Sequence, residues 1–94
     1  MPTKFYFVYV LFSFKDRELY VGYTENLDTR ISEHLNKKVS ATKFRLPMIL
    51  IYYEAFTEEK DARAREKFLK SGFGRSQLKK ALQNRLKQVG YKHL

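Results

Sequence analysis

The sequence predicts an α/β (α+β) fold in which a small three-stranded antiparallel sheet is flanked by three helices. Two β-type runs, residues 5–14 and 19–23, are separated by four charged residues, which is the pattern of an antiparallel hairpin. A third run, rich in β-branched and aromatic residues, covers residues 48–56 and follows Pro47. Apolar residues recur at helical spacing between and after these runs, and they predict the helices.

The first strand is apolar on both of its faces. Side chains alternate across a strand, so Phe7 and Tyr9 share one face while Val8 and Val10 share the other. A strand of this kind is expected in the middle of its sheet. Tyr20, on the second strand, is expected to lie close to Tyr9, either directly opposite or diagonally. The residues alone leave both phenols open to two interpretations, as core aromatics with hydroxyls at the rim or as members of a site.

The chain has 94 residues and is expected to form one domain, residues 1–94. It contains no cysteine, which excludes disulfides, thiolate metal sites and a cysteine nucleophile. No apolar run is long enough to cross a bilayer and no segment resembles a signal peptide. We therefore expect a cytoplasmic protein.

The chain is strongly basic, with a formal net charge of +9. From Lys60 to the end there are eleven Lys or Arg residues and only two acidic ones, Asp61 and Glu66. Such an excess is typical of a protein that binds a polyanion, most often nucleic acid. A well-solvated helical surface is the alternative. An acidic membrane surface is less favoured, because no helix has exposed bulky apolar residues opposite its basic face.

The first helix is predicted over residues 24–36, with Thr24 or Asn26 as its N-cap. Arg30 and His34 are i, i+4 neighbours on the edge of its apolar stripe. The stripe recurs every four residues and is expected to face the sheet: Leu27, Ile31 and Leu35. The polar segment 37–45 is predicted to be a basic loop. Its small hydroxyl residues are candidates to donate to phosphate oxygens: Ser40 and Thr42.

The second helix is predicted over residues 57–70, beginning at Thr57 and ending before Ser71. Glu66 lies within roughly 40° of Ala62 around this helix, next to the apolar stripe rather than opposite it. This carboxylate is therefore poorly placed for simple solvation. Two alternatives stay open for it, a metal ligand or an internal salt bridge with one of three cations: Arg65, Arg63 or Arg30.

A third helix is predicted over residues 76–89, with Ser76 as its cap and Gly90 after its end. The remaining residues, 91–94, are expected to form a frayed tail.

Four separated elements of the chain resemble the GIY-YIG nuclease superfamily, and in particular its small single-domain bacterial members. Phe7-Val8-Tyr9 stands where the family has Gly-Ile-Tyr, and Tyr20-Val21-Gly22 stands where it has Tyr-Ile-Gly. Arg30 and His34 match the helix after the second strand. The pattern Ala62-x-x-Arg65-Glu66-x-x-Leu69-Lys70 matches the helix that bears the family's single metal-binding glutamate. The resemblance covers about residues 6–80 and implies a sheet of spatial order 2-1-3.

The resemblance implies a divalent-metal-dependent endonuclease that hydrolyses DNA phosphodiester bonds, in repair or recombination. Glu66 would bind one Mg²⁺ or Mn²⁺ ion, which suits a single carboxylate because these ions keep most of their waters. Arg30 would contact phosphate oxygens through its fork geometry. Tyr9 would be the general base, with a lowered pKa, and Tyr20 would orient the water or the phosphate, although the sequence leaves open which phenol does which.

His34 would assist proton transfer or hold the phosphate, with an ordinary helix-edge hydrogen bond as the alternative. Gly22 would allow a close backbone approach. Nucleic acid, most often DNA, is then expected to contact seven basic side chains: Lys37, Lys38, Lys43, Arg45, Arg75, Lys79 and Lys80. Many relatives carry a late asparagine that supports the active site, and Asn84 is at no matching position. Two other functions stay open, a module that grips nucleic acid without cutting it and a basic protein that docks on an acidic partner.

Overall fold

A computed structural model describes residues 3–94 of the chain. Three strands form one antiparallel sheet in the order β2-β1-β3. In chain order the elements are β1 (Tyr6–Ser13), β2 (Leu19–Thr24), α1 (Leu27–Leu35), β3 (Met48–Phe56), α2 (Glu59–Leu69), α3 (Gly72–Ala81) and α4 (Gln83–Val89). The predicted fold class and strand order are therefore confirmed, with four helices in place of the expected three.

The central strand β1 is buried on both faces, as its sequence predicts. On one face Val8, Val10 and Phe12 pack against apolar residues of the three later helices: Ala62, Leu69, Leu78 and Leu86. On the other face Tyr9 and Leu11 pack with Met48, and α1 covers them. The sheet thus separates a larger apolar core from a smaller one, and the smaller one contains Tyr9.

Helix α1 covers the smaller core through its first two turns. Asn26 is its N-cap, and the side-chain oxygen accepts from the Thr29 amide at 3.1 Å. Ile31 packs on this core, but Leu35, one turn later, is 50% exposed. The expectation that Leu35 faces the sheet is wrong, because the last turn of α1 buries His34 instead.

The C-terminal helices differ from the predicted single helix. Helix α3 begins at Gly72 and its cap is Ser71, whose side chain accepts from the Gly74 amide at 3.2 Å, so the expected cap at Ser76 is wrong. Gly74 lies so close to α2 that a Cβ at this position would overlap the Phe68 carbonyl. The backbone at Leu82 leaves the helical region and separates α3 from α4. Helix α2 begins at Glu59 rather than Thr57 and has no side-chain cap.

Three of the last four residues, Tyr91, Lys92 and His93, are docked, not frayed. Tyr91 is 9% exposed and belongs to the larger core. The Lys92 amide donates to the Arg17 carbonyl at 3.3 Å, and His93 Nε2 lies 3.0 Å from Glu18 Oε1. Burial of the aromatic ring and contacts to the β1–β2 turn explain why the expected fraying is wrong. Within residues 3–94, no helix combines the length and apolar composition that a membrane span requires.

Candidate active site

Tyr9 lies at the centre of the candidate site, in the middle of β1, and it is 1% exposed. Gly22 is its partner across the β1–β2 pair. The phenol lies over this glycine so closely that a Cβ at Gly22 would overlap Cζ and Oη of Tyr9. Only a residue without a side chain leaves room for the ring, so the close approach expected at Gly22 is made by the protein's own tyrosine.

Tyr20 lies diagonally from Tyr9, because Tyr20 pairs with Leu11 in the register of the hairpin. The centres of the two phenol rings are 6.3 Å apart, and the Tyr20 ring is 5.1 Å from the ring of His34. Tyr20 is half-buried, whereas Tyr9 is closed off from solvent. The phenol of Tyr20 is therefore the one of the two that solvent can contact.

His34 is fully buried between two hydroxyl groups. Its Nε2 lies 2.7 Å from Tyr9 Oη, and its Nδ1 lies 2.7 Å from Oγ1 of Thr42. Burial and the charge of Arg30 lower the pKa of His34 to about 4, so the imidazole is neutral at neutral pH. A neutral imidazole donates from one nitrogen and accepts at the other, so it links the two hydroxyls in series.

Thr42 is a member of the site that the sequence did not identify. It is 0% exposed, and its hydroxyl also lies 3.5 Å from the Val39 carbonyl. The expectation that Thr42 donates to phosphate is therefore wrong, while Ser40 is exposed as expected. Nothing in the loop sequence distinguishes these two hydroxyl residues, because only the fold brings Thr42 onto His34.

Arg30 and Glu66 lie on two different helices. Arg30 is on α1, donates to Glu33 Oε1 at 3.1 Å and keeps 38% of its side chain exposed. Glu66 is on α2, pairs with Lys70 at 3.0 Å and keeps 21% of its side chain exposed. Both charges affect the pKa of the Tyr9 phenol, Arg30 as the larger influence and Glu66 as the smallest of the five causes.

The ion pair of Glu66 differs from the three that the sequence suggested. Its partner is Lys70, one turn along α2. Arg65 instead binds Glu54 through two hydrogen bonds, at 2.9 and 3.0 Å, and Arg63 binds Glu59 at 2.7 Å. Glu66 therefore keeps oxygen lone pairs open to solvent.

The pKa of Tyr9 is raised to about 12. Burial is the largest cause, and the nearby Tyr20 and Glu66 raise the pKa further, while a hydrogen bond and the positive charge of Arg30 lower it. The expected lowering is therefore wrong in direction, because loss of solvent around the phenol outweighs the guanidinium. At neutral pH the Tyr9 hydroxyl carries its proton.

The profile of one known family matches most of this chain. The model of the GIY-YIG catalytic domain matches residues 5–81. The chain belongs to the GIY-YIG superfamily. The match includes every residue of the site just described, from Tyr9 on β1 to Glu66 on α2.

Bacterial relatives of this GIY-YIG protein are similar over nearly the whole chain. The UPF0213 protein SH2523 of Staphylococcus haemolyticus (strain JCSC1435) is 38% identical over 81 residues, covering 85% of this chain and 96% of the relative. The UPF0213 protein SpyM50708 of Streptococcus pyogenes serotype M5 (strain Manfredo) is 40% identical over 78 residues, covering 82% and 84%. No solved structure matches the chain. Both relatives are named UPF0213 proteins. The GIY-YIG superfamily, to which the chain belongs, is of the nuclease type.

In the part of this GIY-YIG protein that the structure describes, no three His, Asp or Glu side chains cluster as metal ligands do. Glu66 is a single carboxylate with part of its surface open. One hard oxygen ligand of this kind fits a small divalent cation that keeps most of its waters.

The basic residues expected to bind nucleic acid lie in several places on the GIY-YIG fold. Lys37 and Lys43 line one groove, while Lys38 lines another with Asp28 and Glu33. Two further cations are held by protein groups and line a cavity of about 400 Å³. Arg45 binds the Asp16 carboxylate at 2.5 and 3.2 Å, and Arg75 lies 3.4 Å from the Leu19 carbonyl. Lys79 and Lys80 are on α3, and Asn84 is exposed on α4.

Proposed function

We propose that this protein is a divalent-metal-dependent endonuclease that hydrolyses DNA phosphodiester bonds at the site around Tyr9. The observation that carries the proposal is that groups from three elements, β2, α1 and α2, act on one phenol. Gly22 lies under the ring, His34 bonds its oxygen, and the charges of Arg30 and Glu66 act on it. A structural tyrosine in a small core needs none of these charged neighbours.

Glu66 is the residue that would hold the cation, Mg²⁺ or Mn²⁺. When bound, such an ion supplies positive charge beside the phosphate and lowers the free energy of the developing negative charge. The partly exposed carboxylate of Glu66 and its partly exposed ion pair with Lys70 support this role.

Arg30 and Tyr20 would hold the phosphate. The guanidinium is 38% exposed and presents a planar fork that matches two phosphate oxygens. The Tyr20 hydroxyl can donate a further hydrogen bond to a phosphate oxygen or accept one from the attacking water. Together these groups would fix the phosphorus in line with the water and the leaving oxygen.

Tyr9 would take the proton of the attacking water through a relay that ends at His34, once substrate binding admits that water to the phenol, which is closed off from solvent in the free protein. With a pKa of about 12, the phenol must lose its own proton as it gains another. As the water oxygen bonds to phosphorus, its proton moves to Tyr9 Oη and the phenolic proton moves to Nε2 of His34. The phosphorus bond to the leaving oxygen breaks, and that oxygen takes a proton from solvent.

Thr42 would set the tautomer that this relay needs. If its hydroxyl donates to the Val39 carbonyl, its oxygen accepts from Nδ1–H of His34. Nε2 then has a free lone pair and accepts the hydrogen of the Tyr9 hydroxyl. This order of donors is the one in which His34 can receive a proton from Tyr9.

The alternative function is a module that binds nucleic acid without cutting it. Two observations favour it: burial raises the pKa of Tyr9, and Asn84, at no position that matches the late asparagine of many relatives, is exposed on α4. Such a module would show salt-sensitive binding, because phosphate contacts release counterions.

Incubation with supercoiled plasmid and with branched DNA decides between these functions. We expect nicking with Mg²⁺ or Mn²⁺, none with excess chelator, and none for Glu66→Gln. The Glu66 side chain makes only a partly exposed ion pair, so this variant is expected to fold, which circular dichroism would check. Binding of both DNAs without any metal-dependent cleavage would favour the alternative.

A further inference from the structure

A groove of about 500 Å³ lies beside the candidate site. The β1–β2 turn, the end of α1 and the loop before β3 form its walls. Its main lining residues are three lysines and three apolar residues: Lys15, Lys37, Lys43, Leu35, Phe44 and Met48. The combination of cations with apolar side chains in one groove defines the chemistry of what it can bind.

The groove is cationic without an acidic counterpart. Its lining contains no Asp or Glu. Within residues 3–94, the three lysines form no salt bridge, whereas lysines elsewhere do, such as Lys4 with Glu25 and Lys92 with Glu18. Three free ammonium groups on one groove are complementary to a chain of phosphates.

Phe44 gives this groove a flat apolar surface that is mostly open to solvent. It is 74% exposed, and the ammonium group of Lys43 lies 5.0 Å from the centre of its ring. Leu35, at the end of α1, is 50% exposed on the same groove. An exposed aromatic beside lysines is how proteins bind single strands, since a base stacks on the ring while its phosphate meets a cation. In a duplex the faces of the bases are already stacked on their neighbours.

Lys37 occupies a backbone position where glycine is usual. It has a φ of 62°, in the left-handed region. It ends α1 with the two hydrogen bonds typical of a glycine-terminated helix, from the Lys38 amide to the Glu33 carbonyl at 2.9 Å and from the Lys37 amide to the His34 carbonyl at 3.2 Å. A lysine is strained here and glycine is not, so its presence points to use of the side chain rather than the backbone.

The groove and the site share their supporting residues. The loop that contains Phe44 also contains Thr42, whose hydroxyl forms a hydrogen bond with His34. Met48, in the wall of the groove, packs in the same small core as Tyr9. The groove and Tyr9 therefore lie on the same side of the sheet.

We propose that this groove binds an unpaired strand of DNA, with Phe44 as the stacking platform for a base and Lys15, Lys37 and Lys43 as the phosphate contacts. The inference rests on the proposed function for its choice of DNA, and it specifies that function further by making single-stranded segments the preferred substrate class.

Binding in excess chelator tests the inference separately from cleavage. Fluorescence anisotropy would compare a labelled 15-nucleotide oligo(dT) with a duplex of the same length. We expect Phe44→Ala to weaken binding of the single strand about tenfold, the size of one stacked base, and duplex binding less than twofold. Phe73→Ala is the matched control, since Phe73 is 83% exposed on α3, outside the groove, and we expect no change.

The lysine contact has its own test. Lys37→Gly removes a cation and relieves the left-handed backbone, so we expect an unchanged or higher melting temperature. The slope of log K against log salt for the single strand should become less steep by about 0.7, the value of one phosphate contact. Lys87→Gln, on the exposed surface of α4, removes the same charge and should leave the slope unchanged.

Three outcomes would overturn the inference. The first is that Phe44→Ala loses as much affinity for the duplex as for the single strand, and the second is that Phe73→Ala loses as much affinity for the single strand as Phe44→Ala does. The third is that Phe44→Ala changes the self-association of the protein and leaves DNA binding unaltered. Plasmid nicking with Mg²⁺ reads the proposed function independently. Nicking by the wild type together with normal single-strand binding by Phe44→Ala refutes the groove and leaves the nuclease. Binding of single strands that depends on Phe44, without nicking, supports the groove and refutes the nuclease.

Discussion

Gly22 and Tyr9 face each other across the first two strands, and the phenol occupies the space that a side chain at Gly22 would need. This packing keeps the ring in one orientation, with its oxygen on Nε2 of His34. Gly22 is therefore part of the site because it has no side chain and leaves room for the Tyr9 ring.

Gly22→Ala should displace the Tyr9 ring. A Cβ at Gly22 would overlap two atoms of the phenol, and overpacking of this kind costs about 1–3 kcal/mol of the free energy of unfolding. We expect nicking activity to fall by more than the loss of folded protein explains. Gly72→Ala is the control, because a Cβ there meets no atom within 4 Å and should leave stability unchanged or raise it. Urea unfolding and plasmid nicking of both variants would check this, and a fully active Gly22→Ala would contradict it.

Tyr9→Phe should abolish nicking while the protein stays folded. The change removes one hydroxyl and leaves Nε2 of His34 without its partner, which costs about 1–3 kcal/mol. Tyr53→Phe, on β3 and 52% exposed, removes the same group at a surface position and should keep full activity. Nicking rates at matched folded concentration are the measurement. Equal rates for the two variants would remove Tyr9 from the proton relay.

Thr42→Val should slow nicking, because the isosteric side chain cannot accept from Nδ1 of His34. Thr42→Ser keeps the hydroxyl and should retain most of the activity. Ser40→Ala changes an exposed hydroxyl of the same loop and serves as the control. We expect the pH profile of nicking to shift in Thr42→Val alone. The same profile in all three variants would mean that Thr42 has only a structural role.

The stability of the protein should fall as the pH drops below the usual pKa of histidine, because of His34. Its pKa is lowered to about 4 in the folded state from a usual value of 6.5, so the unfolded chain binds the extra proton between these limits. Stability from this group is therefore complete above about pH 6.5 and is lost progressively towards pH 4. From the two pKa values we expect a loss of roughly 2 kcal/mol between pH 7 and pH 5.

Urea unfolding at pH 5 and pH 7 would measure this loss, with His34→Gln as the comparison. The variant lacks the titrating imidazole and should show a clearly smaller difference between the two pH values. His93→Gln, at an exposed position near the C-terminus, should behave as the wild type does. An equally large pH dependence in His34→Gln would assign the effect to other groups.

Much of the fold follows from local patterns in the sequence. Two-sided apolarity of β1 predicts a central strand, and the strand at residues 48–56 has the predicted bounds. The resemblance to the family's motifs predicts Tyr9, Gly22 and Glu66 as site residues, and residue type and spacing place each of them on its element. A periodic element determines which face a residue is on, and that is enough to place it near a site.

The partners of these residues were decided only by the tertiary structure. His34 was expected at a helix edge and is buried, Thr42 was expected on phosphate and bonds His34, and Arg45 is bound by Asp16. The raised pKa of Tyr9 arises from loss of solvent around a phenol that the sequence shows only as one aromatic among many. The sequence determines which residues are candidates for chemistry, because residue type and period are local properties. Hydrogen-bond partners and desolvation are set by contacts between segments far apart in the chain, so they came from the fold alone.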